Sequence, residues 1–289
     1  KKRYGLPASF KVNYQLLSTL SLITRVDQEI AAGRVSFDVA AVGSASWAFE
    51  KSQKGHILAY DSPEYAHYQT VFDRGLGKKG EFAFNGAYIF VPMWSEDHLK
   101  FKGKSYKDVL NAVPTGRMSV GDGTKSATYL ATYIVQKEVM DKAFFEGLAK
   151  MKPSLLVRSE QIAGRLVSGE DLMAFSGMPT RAYQYNEKGG KLKFMLPEEG
   201  VVLLPQAQFI IKDAPHPNAA KLWIDFMLSE EGQHIIVKGE ALISGRTGFK
   251  SALPEYAPPI ENLKIIKADW AAMTPAKLQA WREEWSKIF

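Results

Sequence analysis

The chain has 289 residues, with 37 Lys and Arg against 31 Asp and Glu for a net charge of +6, 46% hydrophobic residues and no cysteine. The length fits one large domain or two lobes of ordinary size, and the composition is that of a globular chain. Disulfides, thiolate zinc sites and a cysteine nucleophile are excluded, and the longest apolar runs fall far short of the roughly 20 residues that span a bilayer. The basic residues are scattered among acids, as at Gly77-Lys78-Lys79-Gly80, so no nucleic-acid partner is expected, whereas a small anion gains from the positive mean field. No charged-then-apolar leader opens the chain, the expectation for a cytoplasmic protein or for a mature, processed one.

Lys11–Leu17 alternates like a strand, and Ser18 or Thr19 can cap a helix through Ala32 that turns Ile23, Val26 and Ile30 inward. Gly33 ends it. Phe37–Val42 reads as a short strand buried on both faces, and the order strand, helix, strand predicts a parallel crossover. Beyond the loop Gly43-Ser44-Ala45-Ser46-Trp47, Phe82–Pro92 is a long apolar strand, Lys104–Ala112 has helical spacing and Arg117–Val120 is a short strand. The turn 121–126 opens a helix expected to run to about Lys150, and a further helix covers Ser159–Ser168. Asp171–Ser176 is strand-like, Gly177–Thr180 turns into a helix over Arg181–Lys188, and Lys191–Leu196 and Val201–Ile211 are strands. Pro217 suits a first helical position, and Ala219, Leu222, Trp223, Phe226 and Met227 form one apolar face. Ser229 stops that helix and caps the next, with Glu230 and Glu231 in its first turn. After Pro254, Pro258 and Pro259 the chain ends in a helix bearing Leu278, Trp281 and Trp285.

Strands alternating with helices predict an α/β fold of parallel sheets. The two long strands, 82–92 and 201–211, each carry a proline. They read either as connections between two lobes, with 93–200 inserted, or as the central strands of one doubly wound sheet.

In open α/β sheets ligands sit beyond the carboxyl ends of strands, where helix N-termini point. Three loops meet that description. At 121–128, Thr124, Ser126 and Thr128 set hydroxyls among the unpaired N–H groups of a helix start, and Lys125 adds charge. The spacing is not a Walker loop, because Thr124 and Ser119 stand where glycines are needed, and a plain N-cap by Thr124 is the simpler alternative. At 177–185, Thr180 can cap and Arg181 offers a planar fork to an oxyanion, unless it is a solvated surface charge. Tyr183 and Tyr185 lie on different helix faces. In the third loop, Ser44 and Ser46 can clasp an oxyanion, with Trp47 as a wall or as ordinary packing.

No motif points to catalysis. The five histidines (56, 67, 98, 216, 234) lack HxxxH spacing, and neither a GxSxG elbow nor an EF-hand loop is present. No catalytic residue, metal site or cofactor is assigned.

Taken together, Phe37–Trp47, GDGTKSATY at 121–129, SEQIAGRLVSGED at 159–171, LPEEGVVLLP at 196–205 and APHPNAAKLWIDFMLSEEGQ at 214–233 resemble the two-lobed type II solute-binding proteins of bacterial ABC importers. The resemblance is to the branch that includes ferric-ion and polyamine binders. It implies a fold of two mainly parallel sheets flanked by helices and joined by hinge strands. Lobe 1 would comprise 1–91 and 208–252, lobe 2 would comprise 92–207, and 253–289 would form a tail on either lobe. It also implies a periplasmic or membrane-tethered monomer that delivers its solute to a permease. The implied binding residues are Ser44, Ser46, Trp47, Thr124, Lys125, Ser126, Thr128, Thr180, Arg181 and Tyr183. A phosphonate, sulfonate, phosphorylated compound or carboxylate is the expected solute. Two departures stand out. Relatives begin with a strand and helix before the segment matching Lys1–Tyr4, so that unit is expected to be lacking here. Ferric-ion binders carry adjacent tyrosines where this chain has Met178-Pro179-Thr180, which disfavours iron, a hard ion wanting several anionic oxygens. An iron carrier using Tyr183 or Tyr185, and an enzyme acting on a phosphorylated small molecule, are the alternatives.

Overall fold

The computed structural model describes residues 1–289. Its helices are α1 (Thr19–Ala31), α2 (Ala45–Gln53), α3 (Gln69–Asp73), α4 (Tyr106–Leu110), α5 (Ala127–Gln136), α6 (Lys142–Lys150), α7 (Ser159–Ser168), α8 (Pro179–Asn186), α9 (Pro217–Leu228), α10 (Glu230–Glu240) and α11 (Pro275–Ile288). Its strands are β1 (Val39–Val42), β2 (Phe82–Ser95), β3 (Met118–Gly121), β4 (Ser154–Leu156), β5 (Met173–Gly177), β6 (Leu192–Phe194) and β7 (Val202–Ile210).

The two long strands organise everything else. They pair antiparallel from Phe82↔Phe209 to Phe90↔Val202, and β1 flanks β7 on the other side, Val39 opposite Ile210. At 14 residues β2 outruns its partner. Past Val91 it leaves β7 and pairs with β5 and β6, which brings in β3 and β4. One strand therefore serves two sheet systems, in the overall order β1-β7-β2-β5-β3-β4. Parallel pairing, expected throughout, is confined to β4-β3-β5. Around β2 and β7 it gives way to antiparallel pairing, because β7 runs opposite to both β1 and β2.

Local sequence signals explain most element ends. The Ser18 hydroxyl accepts the Ser21 N–H to start α1, and Gly33 leaves it at φ +62°. Ser229 separates α9 from α10 as expected, accepting the Gly232 N–H. The helix expected to continue to Lys150 is instead two, because Asp141 caps α6 by accepting from Phe144 at 2.8 Å. The helix expected from Lys104 starts at Tyr106, where Ser105 and Asp108 form a capping box. Lys11–Leu17 is not a strand. Val12, Tyr14 and Leu16 are 53–81% exposed and no neighbouring strand supplies a ladder, so alternation alone does not hold that segment in a sheet, and the first crossover is absent.

Several polar residues of the long motifs brace the framework. Asp171, fully buried, accepts from Arg165 Nε at 2.6 Å and from the Ser119 hydroxyl, tying α7 to β3. Asp225 accepts from Tyr60 at 2.8 Å and Ser62 at 2.6 Å, which ties α9 to the segment 60–62, and Gln233 donates to the Asn85 carbonyl at 2.8 Å, which ties α10 to the first half of β2. The apolar core is continuous through the paired long strands, with a smaller cluster of Val26, Val42, Trp47, Phe82 and Phe209 beneath α1 and α2.

Candidate functional site

A cleft opens where the β1–α2 loop faces the first turns of α5. Its walls are Gly43 to Ser46 on one side and Ala127, Leu130 and Ala131 on the other, with Leu204 and Pro205 of β7 at its floor. The C-terminal segment closes it through Trp270, Met273, Leu278 and Arg282. The cleft is small and partly open to solvent.

The C-terminal segment reaches the cleft because both of its ends are anchored. Asp269 caps a short helical turn, Trp270–Ala272, which packs on α2. Beyond the Thr274 cap, α11 lies against α5 and α6. There Glu284 accepts from Tyr133 at 2.9 Å and from Lys137 at 2.7 Å. Burial works to raise the Glu284 carboxyl, but the Lys137 and Tyr133 hydrogen bonds and the Lys137 charge hold it below the usual carboxylate range. Arg282 thus sits in the cleft by virtue of a helix face shared with Leu278 and Trp285.

Two donors here lack an acceptor. The Trp270 indole N–H is buried and unpaired, in a residue only 4% exposed, and Arg282 Nε is buried and unpaired as well. The Arg282 Nη1 donates to Gln279 at 3.3 Å. In the same lining, Ser44 precedes α2 without capping it, its hydroxyl meeting that of Ser46 at 3.4 Å. An unmatched buried donor costs about 1–3 kcal/mol, so this arrangement favours an occupant rich in acceptors.

Of the ten residues singled out in the sequence, Ser44 and Ser46 line this cleft. Trp47 faces away from it: 5% exposed, it donates to Asp27 at 3.2 Å and packs 5.7 Å from the Phe209 ring. The 121–126 turn is satisfied from within. Asp122 accepts the Thr124 hydroxyl at 2.6 Å and the N–H groups of Thr124 and Lys125 at 2.9 and 3.2 Å. Burial acts to raise the Asp122 carboxyl, yet those three bonds and the Lys125 charge hold it below the usual range. The simple N-cap belongs to Ser126, which accepts the Tyr129 N–H, and not to Thr124. Lys125 extends into solvent, 3.6 Å from Asp122, and the Thr128 carbonyl accepts from Thr132. A Cβ on Gly123 would stand 3.0 Å from the Trp285 indole, so the turn is also packed against α11.

The third loop is engaged elsewhere. Thr180 is buried inside the first turn of α8, which starts at Pro179 without a side-chain cap, so the expected cap by Thr180 does not form. Arg181 donates to Ser159 at 2.9 Å and Gln184 at 2.5 Å and pairs with Glu160 at 2.7 Å, so its guanidinium is taken up by α7 and α8. The Tyr183 hydroxyl donates to the Lys238 carbonyl and the Tyr185 hydroxyl to the Glu160 carbonyl, on different faces as expected. Among the described residues no group of three or more His, Asp or Glu is placed to hold a metal ion.

Sequence reasoning passed over Trp270 and Arg282. The signal for Arg282 was present: it stands four residues after Leu278 and three before Trp285, a charge on the apolar stripe of an amphipathic helix. Trp270, in a proline-rich stretch without periodicity, offered none.

Comparison with curated protein sequences returns no match. Among solved structures, the substrate-binding protein of an ABC transporter from Agrobacterium tumefaciens aligns at TM-score 0.78 and 13% identity, over 94% of this chain and 84% of that one. The periplasmic binding protein AfuA from Actinobacillus pleuropneumoniae, bound to fructose-6-phosphate, aligns at 0.75 and 18% over 97% and 90%. Iron-bound HitA from Pseudomonas aeruginosa aligns at 0.76 and 18% over 97% and 91%. The fold is therefore the α/β periplasmic binding protein fold. A family model for bacterial extracellular solute-binding proteins matches residues 35–270, and the chain belongs to that family.

Proposed function

We propose that this protein captures a small anionic solute in the cleft between Ser44–Ser46, α5 and the C-terminal segment, and delivers it to the membrane permease of an ABC importer without converting it. The observation that carries the reading is the cleft lining, which brings Arg282 together with Ser44, Ser46 and Trp270, two of these residues carrying unmatched N–H donors. A phosphonate, sulfonate, phosphorylated group or carboxylate supplies acceptors for all four. The α2 N-terminus adds a favourable dipole of about 0.3–1 kcal/mol. In this reading residues 1–91 with 208–252 and residues 92–207 act as hinged bodies around β2 and β7. The protein then works as a monomer outside the cytoplasmic membrane. No helix is long and apolar enough to cross a membrane.

A thermal-shift screen of anions identifies the class, since a ligand at 100 times its Kd stabilises by about 2.7 kcal/mol. Calorimetry on the best anion then tests the site. Arg282→Gln is expected to weaken binding at least tenfold, and Arg181→Ala less than threefold. Unchanged affinity in Arg282→Gln, or a larger loss in Arg181→Ala, places the clasp elsewhere.

A further inference from the structure

Anion capture leaves open what the rest of the solute is, and the cleft lining answers that. Its polar residues are few: Ser44, Ser46, Trp270 with its indole N–H, and Arg282. The remaining surface comes chiefly from Leu130, Leu204, Pro205, Met273 and Leu278, and none of the lining residues is acidic. We infer that the solute is an amphipathic organic acid, with one anionic head on the donor cluster and a short hydrocarbon body against the aliphatic wall. This rests on the anion-capture reading above and narrows it.

The lining disfavours the other anion classes by the groups it fails to match. A polyhydroxylated phosphate would set its hydroxyls against leucine, proline and methionine side chains, where each lost hydrogen bond counts against binding. An amino acid or aminoalkyl phosphonate would bring an ammonium group to a surface with no carboxylate to meet it. A bare inorganic anion would satisfy the donors but leave the aliphatic wall wet. A hydrocarbon body removes that wall from water and adds a gain for every methylene buried.

The test is calorimetry on the full chain with straight-chain carboxylates and alkylsulfonates from two to six carbons, the primary alcohols of equal length, inorganic phosphate and glucose 6-phosphate. Affinity is expected to rise about fourfold per methylene until the cleft is filled, with alcohols, phosphate and the sugar phosphate at least tenfold weaker than the best acid. Met273→Gln, in a connecting segment outside the long strands, is expected to flatten the chain-length dependence. Acids and phosphate binding with no gain per methylene would overturn the hydrocarbon body and leave anion capture standing. Alcohols binding as tightly as acids would overturn anion capture itself. A series in which no acid binds overturns the inference outright.

Discussion

The turn at 121–126 and the C-terminal segment at 270–282 both lie next to α5, and they differ in where their donors go. In the turn, one carboxylate from within the same six residues takes up the Thr124 hydroxyl and two backbone N–H groups. In the C-terminal segment, an indole N–H and a guanidinium N–H are buried with nothing to accept them. The turn has the composition of an anion loop but is internally complete. The segment has no motif at all, yet it holds the unsatisfied chemistry. A glycine- and hydroxyl-rich stretch is thus a statement about local backbone satisfaction before it is one about ligands.

The sharpest way to break that comparison is to remove acceptors from the satisfied side and donors from the unsatisfied side. Asp171→Ala, which strips Arg165 and Ser119 of their shared acceptor, is expected to cost about 3 kcal/mol in urea denaturation, toward the lower end for a broken buried pair because Arg165 retains some access to water. Solute affinity of the folded fraction should stay within twofold. A tenfold loss of affinity there would show that the bracing of β3 and α7 is felt in the cleft.

Asp122→Ala is expected to cost about 2 kcal/mol, because three donors lose a charged acceptor. Its pH dependence has a definite sign. With the folded carboxyl held below its ordinary value of about 3.9, its contribution is complete above that value and fades as pH falls through the lower folded one. Asp122→Asn should therefore flatten the acid limb of a stability–pH curve below about pH 4. A curve identical to that of the parent protein would mean that the turn is held by something other than this carboxylate.

Trp270→Phe addresses the opposite case. The ring keeps its packing on α2 while the unmatched donor disappears, so stability should change by less than about 0.5 kcal/mol, in either direction, and affinity for the anion should fall three- to tenfold. A stability loss above about 1 kcal/mol with affinity intact would make the indole N–H a structural donor after all.

Glu284→Gln should give the smallest effect, about a threefold loss of affinity. It loosens the contact of α11 with Tyr133 and Lys137 that positions Arg282, without touching the cleft. Its dependence on salt should be slight, since these are short contacts and not long-range ones.

Much of this architecture was legible residue by residue. Ser18, Ser229 and Gly33 mark helix ends through their own backbone chemistry, and the two proline-bearing apolar runs announced long strands. The reading failed where a partner had to be supplied from afar. Lys11–Leu17 has a strand's alternation but no neighbour to pair with, and the supposed single helix to Lys150 was cut by Asp141, a cap strong enough to begin α6. The site followed the same division. The Ser44–Ser46 loop could be picked from its place after an apolar strand, whereas the duties of Trp47, Arg181 and Asp122 depended on which distant or nearby groups reached them first.

By itself, then, the sequence determined the family, the alternation of helices and strands, and the positions of most caps, because these rest on contacts within a few residues and on patterns of burial. Only the tertiary structure decided which donors are left without an acceptor. That property belongs to the whole set of neighbours around an N–H group, and for Trp270 and Arg282 the cleft neighbours come from α2, α5 and β7, far away in the sequence.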